Sequence, residues 1–278
     1  MDGDTITRLP AATDGAGAAP AWDATTLPYL LRLGDACLVH AQRLAEWCGH
    51  APVLEEDIAL TNLALDQLGQ ARALLSLAGR CEGRGRDEDA LAYQRGEAEF
   101  LNPSLLELPH TPPGDSAPCF GRTLLRGFLW ASFAQALYRR LADSRDPALA
   151  GIAARALKEC RYHAEHCADW VVRLGDGTAE SQRRMQAALE DLWPYTAELF
   201  EDDAVDRAVA AAGLGPAWAE LRPAWLASVE PVLREATLRM PPDTPFRSHG
   251  RRGRHTEAMG LLLAEMQSLA RAFPGAVW

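Results

Sequence analysis

The chain lacks any apolar run near the roughly twenty residues that a membrane-crossing helix requires, so a membrane-spanning function is not expected. It also lacks a Cys-x-x-Cys pair: the six cysteines stand apart at 37, 48, 81, 119, 160 and 167. That spacing excludes a zinc ribbon or a disulfide scaffold and reads as reduced thiols in a cytoplasmic protein. No run alternates apolar with polar long enough for a strand, and β-branched residues are sparse beside Leu and Ala. The expected fold class is therefore all-α. A basic surface is missing as well, because the formal net charge is −10, which excludes a general nucleic-acid binder. The first residues, MDGDTITRLPAATDGAG, have acidic groups and no hydrophobic centre, so no secretory leader is expected there.

The 278 residues suffice for one sizeable domain. Residues 1–26, rich in Ala, Gly, Thr, Asp and Pro without periodicity, are expected to form a flexible tail, and residues 27–278 a single helical bundle domain. Helix one is predicted from about Pro28 to Gly49 and helix two from about Val53 to Gly79. A short helical piece follows around Glu88 to Glu99, then a proline-rich loop, LPHTPPGDSAP. Helix three is predicted over Phe120 to Leu141, and helix four from Asp146-Pro147 to Gly175. A fifth helix, Ser181 to Leu199, carries Pro194 as an expected kink, and shorter helices are expected over Asp203 to Ala212 and Ala217 to Leu238. The last helix, Thr256 to Phe273, begins at Thr256 as a candidate N-cap and carries a Met259, Leu262, Met266, Leu269, Phe273 stripe.

Helix four organises the chain, because Leu149, Ala153, Ala156, Cys160, His163, Cys167, Trp170 and Leu174 fall on one stripe at helical spacing. His163 is thereby placed toward a core. A di-iron bundle builds its centre from a Glu on each of two helices and a Glu-x-x-His pair on each of the other two. Here the residue three before His163 is Cys160. The core stripe of helix one, Leu33, Cys37, His40, Leu44, Trp47, offers His40, while Asp35 and Glu46 fall on other faces. That of helix two, Leu60, Leu63, Gln67, Gln70, Leu74, Leu77, offers two amides. Helix three holds no Asp or Glu between Phe120 and Ala142, and the one Glu-x-x-His in the chain, Glu107 to His110, contains Pro109 and sits in the loop. Iron needs several anionic oxygens, so His40, Gln67, Gln70, Cys160 and His163 form too poor a set. The preferred reading is a group of buried polar side chains bonded across the bundle, with no metal and no catalytic residue. The alternative is a stand-alone metalloprotein, either zinc on Cys160, His163 and His40 or a degenerate di-iron site. Glu159 and His166 lie about one residue off the core stripe and are expected on a solvated or interface face, and Asp66, beside Gln67, is expected to pair with an Arg or a helix end rather than a metal.

The stretches LGDACLVHAQRLAEWCGHAP, LALDQLGQARALLSLAG, SRDPALAGIAARALKECRYHAEH, LEDLWPYTAELF and GRRGRHTEAMGLLLAEMQSLARAFPGAVW resemble the structural C subunits of ring 1,2-phenylacetyl-CoA epoxidases, over essentially everything after residue 27. The resemblance implies a ferritin-like helical bundle within a bacterial monooxygenase complex of phenylacetate catabolism. It implies a paralogous A subunit that carries the di-iron centre, a small B subunit, and a flavin and iron-sulfur reductase. It further implies that the ligand positions of the catalytic paralogue fall here on Gln67 and Gln70, on Cys160 and His163, and near His40, leaving this chain without a cofactor.

One basic segment, FRSHGRRGRH, precedes the last helix. Arg247, Arg251, Arg252, Arg254 and His255 are candidates for contact with a phosphate of coenzyme A or an acidic partner, since a helix N-terminus and arginine forks suit phosphate. The competing reading ties the same residues to nearby carboxylates.

Overall fold

The computed structural model describes residues 22–276. Of the expected tail, residues 1–21 lie outside the described residues. Trp22 is packed into the core and its indole N–H donates to Asp146 at 2.7 Å, so the packed body begins five residues before Leu27.

Ten α-helices are described: α1 (Leu27–Ala45), α2 (Leu54–Glu82), α3 (Glu88–Tyr93), α4 (Ser104–Glu107), α5 (Phe120–Leu141), α6 (Pro147–Gly175), α7 (Ala179–Leu192), α8 (Ala204–Ala212), α9 (Arg222–Glu235) and α10 (Glu257–Ala272). Tighter 3-10 turns lie at Glu97–Glu99, Trp193–Phe200, Trp218–Leu221 and Gly250–Arg252. The extended backbone among the described residues amounts to one isolated bridge, His249 to Arg254. Helices α1 and α2 form one intimate pair and α5 and α6 another, while α2 meets α6 along a less extensive seam. Helices α7 and α9 cover the second pair, and α4, α8 and α10 cover α1. The buried apolar side chains form one cluster running from Trp22 to Leu263. No helix among the described residues is long and apolar enough to cross a membrane.

The ends of the long helices follow from local chemistry. Asp146 caps α6 by accepting from the Ala148 and Leu149 N–H groups at 2.8 and 2.9 Å, and Pro147 takes a first-turn position where a missing N–H costs nothing. Helix α2 stops at Gly83, whose φ of 69° is open to glycine. Pro194 cannot donate to the preceding turn, so the expected fifth helix ends as α-helix at Leu192 and continues as the 3-10 turn. Thr256 makes no side-chain cap; the Glu107 carboxylate accepts from the Thr256 N–H instead, at 2.5 Å. A Cβ on Gly34 would lie 2.6 Å from Leu75 Cδ2, which shows how closely α1 and α2 approach. The stripe on α10 departs from expectation: Met259 and Leu262 are buried, whereas Leu269 and Phe273 are 53% and 57% exposed.

Candidate functional site at the bundle centre

Helix α6 carries its stripe inward as the spacing predicts through Cys167, after which Val171 and Gly175 are buried rather than Trp170 and Leu174. A straight helix drifts away from a seven-residue repeat in this way. His40, Gln67, Gln70, Cys160 and His163 are all buried, on α1, α2 and α6. Gln67 Nε2 approaches His163 Nδ1 at 3.4 Å, and Gln70 accepts from Cys37 Sγ at 3.6 Å. Cys37 Sγ in turn lies 3.4 Å from the Tyr138 hydroxyl of α5. His40 Nδ1 and Gln67 Oε1 have no hydrogen-bond partner among the described residues.

Asp66 departs from expectation: among the described residues it pairs with no arginine, and its carboxylate lies 3.0 Å from His163 Nε2. Glu159 accepts from Gln70 Nε2 at 2.8 Å. His166 Nε2 lies 3.1 Å from the Glu56 carboxylate, out of hydrogen-bond alignment. These residues line the α2–α6 seam at the edge of the centre, because one position off a core stripe is where two facing helices meet. Glu107 and His110, the lone Glu-x-x-His, point to different partners: Glu107 to His255 at 2.7 Å, and His110 to Thr123 at 2.6 Å and the Arg43 carbonyl at 2.5 Å.

Each potential ligand is held neutral. Burial pushes the Cys37 thiol up to about 12 and the Cys160 thiol well above its ordinary range, where the nearby Cys37 and Glu159 push the same way. Burial, reinforced by the Arg126 charge, holds His40 well below the usual imidazole range. Burial also lowers His163, against the pull of Asp66. A fully buried cation stands nearby: Arg126 of α5, lowered by burial to about 9, still charged at neutral pH. Arg43, Arg126 and Arg122 donate to the successive carbonyls of Glu107, Leu108 and Pro109, and so bind the proline-rich loop to the bundle. The absence of acid from α5 is legible in its sequence; that its buried arginines place positive charge in the core is not.

A di-iron centre does not fit these residues. The donors at the centre are amides, protonated thiols and neutral imidazoles, beside a guanidinium that repels a cation in a low-dielectric interior. Asp66 and Glu159 supply the nearest carboxylates, and both are engaged by the side chains just named. No group of three or more His, Cys, Asp or Glu side chains among the described residues is gathered so that it could hold a metal ion.

The basic segment is divided: Arg247, Arg252 and Arg254 are exposed, whereas Arg251 is buried. Arg251 is 3% exposed; it donates to Asp206 at 2.6 Å and to the Glu201 carbonyl at 2.9 Å, and its guanidinium lies 3.8 Å from the Trp218 ring. Its backbone N–H donates to Glu198 at 2.7 Å. His255 is enclosed between Glu107 and the Phe100 carbonyl, both acceptors, which holds the imidazole raised against the lowering effect of burial. Arg247 pairs with Glu201, and Arg252 lies 3.6 Å from Asp203. Arg251 and His255 are thus enclosed by partners within the fold, although Arg251 Nε is buried without a hydrogen-bond partner among the described residues. Arg254 is exposed, with no side-chain partner among the described residues.

A helical bundle with paired core helices and a polar, neutral centre is the class that fold and site define: a ferritin-like bundle. A solved structure of a Synechococcus protein with aldehyde deformylating oxidase activity shares that fold, at a TM-score of 0.51 and 18% identity, over 85% of this chain and 98% of that one. Residues 12–278 match the family model described as phenylacetic acid catabolic protein. The C subunit of the 1,2-phenylacetyl-CoA epoxidase of Escherichia coli (strain K12) is 48% identical over 250 residues, 90% of this chain and 98% of that protein. The chain belongs to the phenylacetic acid catabolic protein family.

Proposed function

We propose that this chain is the non-catalytic, structural subunit of a multicomponent ring 1,2-phenylacetyl-CoA epoxidase in aerobic phenylacetate catabolism. It pairs with a paralogous A subunit that carries the di-iron centre, within a cytoplasmic complex that includes a small B subunit and receives electrons from a flavin and iron-sulfur reductase. The observation that carries this reading is the bundle centre. Gln67 contacts His163, His163 meets Asp66 and Gln70 donates to Glu159, with His40 and Cys160 buried beside them and Arg126 as the buried charge, a set that favours placing the chemistry on another chain. The fold supplies a rigid body against which active-site helices can be positioned, and positioning of that kind is how a structural partner raises a reaction rate.

The test is turnover of the iron-loaded A subunit, with the B subunit and reductase, in the absence and presence of this chain. A rise in rate of at least tenfold on adding the chain, retained when His163→Ala is used, is the expected result. An A subunit as fast alone as with the chain, or a rate abolished by His163→Ala in a variant that still folds and pairs, contradicts the proposal.

A further inference from the structure

The exposed apolar side chains of α2 are ordered along its length. Leu54, Ile58, Leu65 and Leu68 follow one another at spacings of four, seven and three residues, and are 72%, 54%, 59% and 46% exposed. They make one outward edge of a long helix. Grooves lie on both flanks of that edge. On the α1 side, Leu38, Ala41, Cys48, Tyr93 and Met266 line a groove of about 270 Å³ whose other wall is Leu65 and Leu68. Tyr93 and Met266 also line a larger cleft of about 710 Å³ that continues the apolar surface to Leu269 and Phe273. On the α6 side, Gly69 and Ala73 of α2 face Ile152 and Ala156 across a groove of about 150 Å³. Helix α2 is therefore a ridge between two furrows.

We infer that this ridge docks a pair of helices of a different subunit, one helix in each furrow, with apolar side chains at helical spacing and Arg or Lys at their borders. Ridge-in-groove packing brings helix axes within about 8–10 Å of one another, and the two furrows place a helix on each side of α2. Leu54 to Leu68 spans about 21 Å at 1.5 Å per residue. With about 10 Å of width for each of the three helices side by side, the surface amounts to roughly 600 Å². A stable pair buries about 800 Å² on each partner, so this footprint, polar furrow residues included, supplies most of that area.

Charge decides between a second copy and a different subunit. Glu55, Asp89 and Glu265 edge the face without an ion-pair partner among the described residues, and Asp57 is turned to cap Gly49. The basic residues nearby are mostly committed: Arg72 to Glu88, and Arg271 to the carbonyls of Tyr93 and Arg95. Arg155 is the basic group that lines the α6 furrow. Two copies meeting through this face would bring acid against acid, in a chain whose net charge is already −10. A partner with a basic border is attracted.

The inference rests on the proposed pairing for its probe, the iron-loaded A subunit. Association with the full chain is measured by light scattering on a sizing column and by surface-immobilised titration. The wild type, Leu65→Glu with Leu68→Glu, and a control at an exposed apolar residue elsewhere, Met240→Glu, are compared after matching helical circular dichroism. Wild type and control that bind alike, with the double variant weaker by on the order of 100-fold, are the expected result. A double variant that binds as wild type overturns the surface while leaving the pairing in place. A wild type that does not bind the A subunit at all overturns both. A homodimer of the chain alone that Leu65→Glu dissolves assigns the face to a second copy. Affinity that rises tenfold on removing residues 1–21 assigns it to the chain's own N-terminal segment. Either result overturns the inference.

Discussion

Acidification from pH 7.5 to 5.5 is expected to weaken the fold through His110 and His40. His110 Nδ1 accepts from Trp47 at 3.1 Å and from Arg126 at 3.1 Å, and its Nε2–H donates to the Arg43 carbonyl at 2.5 Å. The Thr123 hydroxyl lies 2.6 Å from Nδ1 and the Glu46 carboxylate 3.5 Å from Nε2, but a proton on Nδ1 would also face the Trp47 and Arg126 donors, one of them charged. Burial and then Arg126 accordingly push His110 down to about 2, from an ordinary value of 6.5. A depressed imidazole stabilises the fold above the unfolded value and loses that contribution as pH falls below it, because the unfolded chain takes up the proton that the folded chain refuses. At pH 5.5 the loss is on the order of 1 kcal/mol for such a group. His40, held well below its usual range by burial and Arg126, works in the same direction. His163 acts in the same sense. His255 acts in the opposite sense: raised by Glu107, it contributes fully below the unfolded value and loses that contribution as pH rises through its folded value. The clean measurement is therefore a difference. Urea unfolding of wild type and His110→Asn at both pH values should show a pH-dependent loss smaller by about 1 kcal/mol in the variant. Equal losses in the two proteins would refute a neutral, donor-surrounded His110.

Asp35→Ala should cost about 3–5 kcal/mol, because Arg95 donates to both of its carboxylate oxygens and would be left buried without a counter-ion. Asp35→Leu with Arg95→Met should cost clearly less than the sum of the single changes; additive losses in a urea double-mutant cycle would contradict coupling. Arg251→Met should cost roughly 1–3 kcal/mol by removing the guanidinium bonds to Asp206, which keeps Arg32, and to the Glu198 and Glu201 carbonyls, whereas Arg254→Ala should stay within about 0.5 kcal/mol, and thermal melts distinguish them. Gly175→Ala would put a Cβ 2.3 Å from the Ala236 carbonyl oxygen and should destabilise by roughly 1–3 kcal/mol, measured by the same melts.

The bounds of α5 and α6 were legible to the residue, because a proline-rich loop precedes Phe120 and an Asp-Pro pair opens α6. Helix α1 ends at Ala45, short of the expected Gly49, since the following residues form turns that finish with Gly49 at a φ of 79°. The core stripes of α1 and α2 were visible in their periodicity. What periodicity could not show was rotation between helices: Asp66 and Glu159 look outward on their own helices and meet His163 and Gln70 only once α2 faces α6. Asp35, placed off the core face, is fully buried because Arg95 covers it from sixty residues away. The partners of Arg251 were not legible for the same reason, since Asp206 and Glu198 lie 45 and 53 residues earlier. The α10 stripe had the right spacing for a core and half of it remains outside, since periodicity identifies an apolar face without identifying what covers it.

The most direct test of a metal-free structural subunit is elemental analysis of this chain purified alone and after co-expression with the A subunit, with iron and zinc assigned to each polypeptide. The expected result is iron in the A subunit only, and a chain that carries neither metal in stoichiometric amount whether alone or paired. About one zinc or two irons in the isolated chain, lost on His163→Ala, would show that the bundle centre is a working metal site and would contradict the structural role.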